Sequence, residues 1–310
     1  VPPITYIHLT EVDSTNTYLM TLPRDPAQPY VAVHADYQTA GRGQRGNTWQ
    51  SAAGQNLLGS IRHHPTFLRP EQQFVLSQLI ALAIVEELSS LLPSAADDLR
   101  IKWPNDIYWR DRKLCGILIE YQLSTTAIEQ AIIGFGVNVN QTDFGPAPGD
   151  TTLRLPSQGV LGSTFRPTSL RLIAAETAIT HQPSDILHHT SDIPFDIPAL
   201  FHAITERYVQ SVAALAPHTS DISPQTSDIS PQTSYIAPHT SDISPQTSYI
   251  TLQSSYVRRL YRLGIPARYR DADGDFTATI DGVNPDGTLR LRLPDGTLRH
   301  YEFKQVAYII

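Results

Sequence analysis

The sequence predicts an α+β fold, with a mixed, largely antiparallel sheet flanked by helices and a small β module behind it. Three observations point there. From Ile4 to Asn140, short apolar runs are joined by tight turns such as "PND" and "RDRK", in a mixed order that a doubly wound sheet would not have. One long helical pattern, Pro70 to Leu92, interrupts them. After Ile265 the rhythm changes to alternating segments broken by "DADG", "NPDG" and "PDG". These turns join antiparallel strands and predict a barrel-like module of about five strands.

Taken in order, "YVAVHADY" (Tyr30 to Tyr37) and "NLLGSIRH" (Asn56 to His63) read as strands flanking a loop rich in glycine and arginine. The helix from Pro70 carries proline near its first turn, Glu71 close to its N-terminus, and Phe74, Leu79, Leu82, Ala83 and Leu88 at helical spacing. "LRIKW", "DIYW", "KLCGILIEYQL" and "AIEQAIIGFGVNVN" read as further strands, and Ser169 to Thr180 and Ile197 to Ala214 as helices. From Thr219 to Gln253 the chain repeats a seven-residue unit of the type TSDISPQ, and a related "TSDIPFD" starts at Thr190. A coiled coil is rejected: each unit has one isoleucine, and most have a proline that removes a helical donor. The repeats read as an exposed low-complexity insertion. "SSYVRRLYRLG" then reads as a short helix. The expected organisation is a domain at 1–216, an insertion at 217–253, a connecting helix at 254–263 and the β module at 264–310.

Composition narrows the function classes. A chain of 310 residues, 41% hydrophobic, is long enough to bury a sizeable core. Its net charge of −7 argues against broad attraction to nucleic acid, which needs clustered cations. The single cysteine, Cys115, excludes an internal disulfide and a cysteine-based zinc site. With no run of about 18 apolar residues and no export-signal pattern after Val1, neither a membrane span nor secretion is expected, and the expected compartment is the cytoplasm.

Candidate chemistry gathers in four places. "GRGQRG" (Gly41 to Gly46) lets backbone amides approach a ligand closely while Arg42 and Arg45 bring charge and multiple donors. It lacks the helix and acidic partner of a dinucleotide fingerprint and the Gly-Lys-Ser/Thr of a Walker loop. "KWPNDIYWRDRKLCG" offers Lys102 and Lys113 as cations, Asn105 as an amide and Asp106 as a carboxylate, with Trp103 and Trp109 reading as packing residues. "DSTN" (Asp13 to Asn16) suits a helix cap or contacts to a polar ring system. "GFGVNVN" places Asn138 and Asn140 in a buried run, where each needs a partner.

"DSTN", "QTAGRGQRGNTW", "KWPND", "RKLCGILIE" and "GFGVNVN" occur in the order and approximate spacing of biotin protein ligases, and the chain resembles that family through the C-terminal module. The resemblance implies a catalytic domain similar to class II aminoacyl-tRNA synthetases and an SH3-like C-terminal domain. It also implies ATP-dependent activation of biotin as biotinyl-5'-AMP, then transfer to one lysine of a biotin carboxyl carrier protein, with biotin and ATP as substrates and Mg²⁺ as the metal. Ser14, Thr15, Asn16 and Gln38 would take the biotin head group. Gly41, Arg42, Gly43, Gln44 and Arg45 would form a loop closing over the adenylate, Trp49 would pack by the adenine, and Asn105 and Asp106 would face the adenylate and the metal. Lys113 would contact the biotin carboxylate and the α-phosphate, Gly116 would lie beside the biotin pocket, and Asn138 is a further nucleotide candidate. Arg42, Arg45, Lys113 and Asp106 are the candidate catalytic residues, Asp106 as the group that orients or deprotonates the carrier amine.

Many relatives carry arginine where this chain has Gln44, which predicts looser retention of the adenylate. "DSTN" arrives almost at once, so the chain as given resembles the monofunctional type, without a DNA-binding domain ahead of it; a homodimer is compatible. Three other readings stand beside this one: a lipoate ligase, a transcriptional repressor and a biotin-binding protein without activity.

Overall fold

The computed structural model describes residues 2–145, 166–181, 194–216 and 245–309. Two sheets organise them. Strands β1 (Ile4–Val12), β2 (Tyr30–Gln38), β3 (Asn56–His63), β4 (Leu99–Lys102), β5 (Asp106–Trp109), β6 (Arg112–Leu123) and β7 (Ile128–Asn138) form the larger sheet in the order β1-β2-β3-β7-β6-β5-β4. The short β8 (Arg166–Pro167) pairs with β6. β1 runs parallel to β2 and β8 parallel to β6, while every other pair is antiparallel, so the sheet is mixed and mostly antiparallel, as expected.

Helices cover the two faces unequally. On one side α2 (Gln73–Leu91) and α4 (Ile197–Leu215) lie together against the sheet, with α3 (Leu170–His181) near its β4 end. Odd-numbered residues of β7 and β3 point there: Ile133, Phe135, Val137, Leu57 and Ile61 join α2 and α4 in one apolar core. The expected apolar stripe of α2 is buried, and so are Val75, Leu76, Ile80, Ile84 and Val85 between its members. A helix apolar all round belongs inside a core. The segment Pro70–Leu91 is also long and apolar enough to cross a membrane by length and composition, contrary to the expectation from apolar runs; here it is a mostly buried core helix. On the other side only the short α1 (Thr15–Thr21) contacts β2, β3 and β7, through a small cluster of Leu19, Val31, Val33 and Ile132. Among the described residues no further helix lies on that face.

The smaller sheet has five antiparallel strands, as predicted: β9 (Pro266–Asp271), β10 (Gly274–Val283), β11 (Leu289–Arg292), β12 (Leu298–Tyr301) and β13 (Ala307–Ile309), in the order β12-β11-β10-β9-β13. The expected connecting helix at 254–263 needs correction. Helix α5 runs Pro245–Arg258 and begins inside the repeats. Leu252 and Tyr256 are buried in the common core, and Gln253 bridges the Gln78 side chain and the Val283 carbonyl. The last repeat therefore serves as packing, because its Tyr249 and Leu252 fall at helical spacing with Tyr256 just beyond it. Repeat residues before 245 lie outside the described residues, as does most of "TSDIPFD".

Candidate active site

A cavity of about 580 Å³ opens between the uncovered face of the larger sheet and the β12–β13 end of the smaller one. Its floor depends on glycine. Gly116 and Gly136 are direct partners on β6 and β7. A Cβ added at Gly136 would meet the Trp49 ring at 2.5 Å and one at Gly116 would meet it at 3.0 Å, so the indole lies flat on these two residues. At Gly134 a Cβ would meet Asn16 Oδ1 at 2.3 Å. Side chains two apart on a strand share a face, so "GFG" empties one face of β7 while Phe135 fills the other.

Above Gly134 sits a buried polar cluster. Ser60 Oγ bonds Thr15 Oγ1 at 2.7 Å and Asn16 Oδ1 at 2.6 Å, and Asn16 Nδ2 donates to Glu120 Oε2 at 2.8 Å. "DSTN" does open a helix, but Ser14 makes no side-chain cap bond. Instead Gln38 Oε1, reaching from β2, accepts the Thr15 amide at 2.7 Å. That arrangement leaves Ser14 lining the cavity.

Cations flank the floor. Lys113 Nζ lies 2.8 Å from Asp106 Oδ1, with both side chains less than a fifth exposed. Lys113 reaches the cavity because of a β-bulge: Ile107 pairs with Cys115 but Tyr108 pairs with Lys113, so β6 carries one extra residue. Leu114 and Cys115 both enter the core, and alternation resumes with Lys113 on the open face, which is how bulges re-aim side chains. Burial pushes the Cys115 thiol well above its ordinary pKa, as expected of a packing residue. Asn105 donates to the Ile117 carbonyl at 2.7 Å and accepts the Ile117 amide through its own carbonyl at 2.9 Å, which fixes the turn presenting Asp106.

The glycine-arginine loop is a small hairpin closed by Gly43 N–H to the Asn47 carbonyl at 2.7 Å and an Arg42–Thr48 bridge. Arg42 reaches Glu120 at 2.7 Å but is 45% exposed, so it is held far more loosely than Lys113. Among the described residues, Gln44 Oε1 and Trp49 Nε1 are buried without a hydrogen-bond partner at the cavity. The backbone of Arg45 is in the short 3-10 turn Gln44–Gly46; its side chain lies outside the described residues.

The cavity thus brings together Ser14, Thr15, Asn16, Gln38, Arg42, Gly43, Gln44, Trp49, Asn105, Asp106, Lys113 and Gly116. Two expected members stand outside its lining. Asn138 is buried and donates to the Thr168 carbonyl at 2.9 Å, tying β7 to the start of α3. Gly41 is needed by the loop itself, since a Cβ there would meet the Trp49 carbonyl at 2.4 Å. Asn140 also found a structural partner, exchanging two bonds of 2.9 Å with the Phe195 backbone. Sequence reasoning missed Gly134, Gly136, Ser60 and Glu120, and the contributions of Phe303, Lys304 and Tyr308. The paired glycines of "GFG" were a usable signal; nothing near Tyr308 was.

Fold and site define a ligand-binding α+β domain with polar, aromatic and cationic groups in one cleft. Residues 9–138 match the model of the biotin/lipoate A/B protein ligase family. Among its relatives, it is 41% identical over 135 residues to the bifunctional ligase/repressor BirA of Escherichia coli, covering 42% of this chain and 39% of that protein. It is 34% identical over 165 residues to the biotin–[acetyl-CoA-carboxylase] ligase of Paracoccus denitrificans, covering 51% of this chain and 65% of the relative. The match to the first relative therefore spans well under half of that protein's length. In fold the chain is similar to biotin protein ligase from Aquifex aeolicus in complex with biotin and ATP, at a TM-score of 0.63 and 19% identity over 98% of this chain and 97% of that one.

Proposed function

We propose that this protein is a cytoplasmic ATP-dependent ligase that activates biotin as biotinyl-5'-AMP and transfers it to a lysine of a biotin carboxyl carrier protein. The observation that carries the reading is one cavity holding the buried Thr15–Asn16–Ser60 cluster at one side, the Gly116–Gly136–Trp49 floor, and Lys113 and Arg42 beside it. The polar cluster suits a compact ring system rich in donors and acceptors, and a cation suits the carboxylate at the far end of such a ligand. We further read the larger sheet as similar to class II aminoacyl-tRNA synthetases and the smaller as SH3-like.

Joining a carboxylate to an α-phosphate brings two anions together. Lys113, preorganised by Asp106, and Arg42 offset that repulsion and stabilise charge as it develops. The resulting mixed anhydride must be kept from water, a task suited to the hairpin at 41–49, whose Gly46 takes a φ of 85°. In the second step a lysine amine attacks the acyl carbon and AMP leaves. That amine must first lose a proton, since a free lysine has a pKa of about 10.4. Asp106 is the carboxylate positioned to orient it.

Among the described residues no three metal-ligating side chains converge. Mg²⁺ would be held by nucleotide phosphates, water and one carboxylate, Asp106, where it would neutralise phosphate charge. Measuring pyrophosphate release with ATP and Mg²⁺, with biotin, with lipoate and with neither, tests the reading. Biotin-dependent release followed by a biotin-sized mass gain on a carrier domain is expected; lipoate-dependent release would move the assignment within the family, and measurable biotin binding without release would favour a binding protein.

A further inference from the structure

The polar cluster draws on Ser60 of β3 but not on Arg62, although residues two apart on a strand share a face. Arg62 is only 4% exposed. Among the described residues it forms no ion pair. Its donors go instead to the end of α1, with bonds to the carbonyls of Leu19 at 3.1 Å, Leu22 at 2.7 Å and Pro23 at 3.2 Å. Taking a cation out of water costs stability, and an apolar side chain of similar volume would fill the same space without that cost. What explains the buried charge is the set of carbonyls it holds.

Helix α1 needs such a partner. Its seven residues fall short of the roughly 12 at which an isolated helix becomes marginally stable. Ser14 makes no side-chain cap bond, the last turn has no basic residue, and the helix ends at Leu22 in extended backbone, which leaves its final carbonyls to be satisfied from outside. Arg62 does this from β3, where a cation also suits the negative end of the helix dipole. At the opposite end of α1, Ser60 Oγ bonds Thr15 Oγ1 and Asn16 Oδ1. One strand therefore grips both ends of the helix. The clearance is small: a Cβ at Gly134 would meet Asn16 Oδ1 at 2.3 Å, so a tilt of α1 changes what Asn16 can reach.

We infer that Arg62 is a positioning residue for the ring end of the cavity. By anchoring the C-terminus of α1 it sets where Thr15 and Asn16 meet a ligand, and so governs affinity for biotin rather than the chemical step. This rests on the biotin-activating reading above. The anion end of the cavity has its own supports, Asp106 on Lys113 and Glu120 on Arg42, and Arg62 bonds none of these four.

Biotin binding and ATP binding to the full chain are each measured by calorimetry, beside kcat at saturating biotin and amide exchange across residues 15–21. Arg62→Met keeps the aliphatic stem and loses every donor. Arg62→Lys keeps the charge with fewer donors, and carries the same comparison if R62M does not fold. R62M is expected to weaken biotin binding about tenfold or more and R62K only severalfold, with faster exchange in α1 and with ATP binding and kcat within about twofold of wild type. A merely structural role would lower stability and the active fraction without touching biotin affinity. Unchanged biotin binding in the folded variants, or an equal loss for biotin and ATP, would overturn the positioning role. Wild-type protein that binds no biotin would overturn the biotin reading instead; the anchor would then stand if α1 exchanges faster in the variants and fall if it does not.

Discussion

Strand β7 separates two regions built on opposite rules. Toward α2 and α4 it presents Ile133, Phe135 and Val137, which fill space. Toward the cavity it presents Gly134 and Gly136, which vacate it for Asn16 and Trp49. The first face is a core, where lost volume costs stability; the second is a mould, where added volume costs binding. The difference teaches that a strand buried on both sides can be half scaffold and half site, with only the parity of residue number to tell them apart.

Substitutions that cross this division test it. Gly136→Val should reduce adenylate formation by about 100-fold through displacement of Trp49, because a 1 Å misplacement at a reacting site suffices for that. Lys113→Ala should lose about 10²- to 10³-fold in the same assay with the fold intact, and Arg42→Ala less, about tenfold, since its pairing is half exposed. Native-rate biotinyl-adenylate synthesis by all three variants would refute the site.

The helix-covered face should answer to acid instead. His63 is fully buried, accepts or donates a 2.8 Å bond with Tyr208 Oη, and stacks on Tyr30. Burial, helped by repulsion from His64, lowers its pKa from 6.5 to about 3. Below pH 6.5 the unfolded chain binds a proton that the folded chain refuses, so stability is full above that pH and falls toward pH 3. Denaturant titrations should show a loss of about 2 to 3 kcal/mol between pH 7 and pH 4.5 that His63→Gln largely abolishes; an identical loss in both proteins would assign the acid sensitivity elsewhere. Smaller still, Ile133→Val should lower stability by about 0.5–1.5 kcal/mol and leave turnover alone.

The repeats allow the finest comparison. Removing 219–244 should change neither stability nor adenylation by more than about twofold, as expected for a tolerated insertion. Extending the deletion to Gln253 removes Tyr249, Leu252 and the Gln253 bridge, and should lower the melting temperature clearly. Equal melting curves for the two deletions would show that α5 contributes nothing to the core.

Much of this was legible locally. Strands β2 to β7, the major helices and the five-stranded module were carried by period and turn chemistry, and the cavity-lining motifs by residue type, whereas β1 and the short β8 were not named. What escaped was non-local. That Lys113 faces the cavity depends on a bulge seen only against β5. Asn138 looked like a ligand contact because its partner, the Thr168 carbonyl, is 30 residues away. Tyr308 acquires meaning only where the smaller sheet meets Lys102. The helix inside the repeats was hidden by prolines and by low complexity, which masked an apolar spacing in its last unit.

One contact at the edge of the larger sheet has a bearing on solubility. β4 ends the larger sheet, and its Ile101 donates to the Arg259 carbonyl and accepts the Tyr261 amide, both at 2.8 Å. The stretch after α5 therefore seals a strand border that would otherwise offer unpaired amides and carbonyls to any passing chain. Truncation before Arg259 would unseal it. The first symptom of such a truncation would be clumping, visible by light scattering before any enzymatic defect could be read.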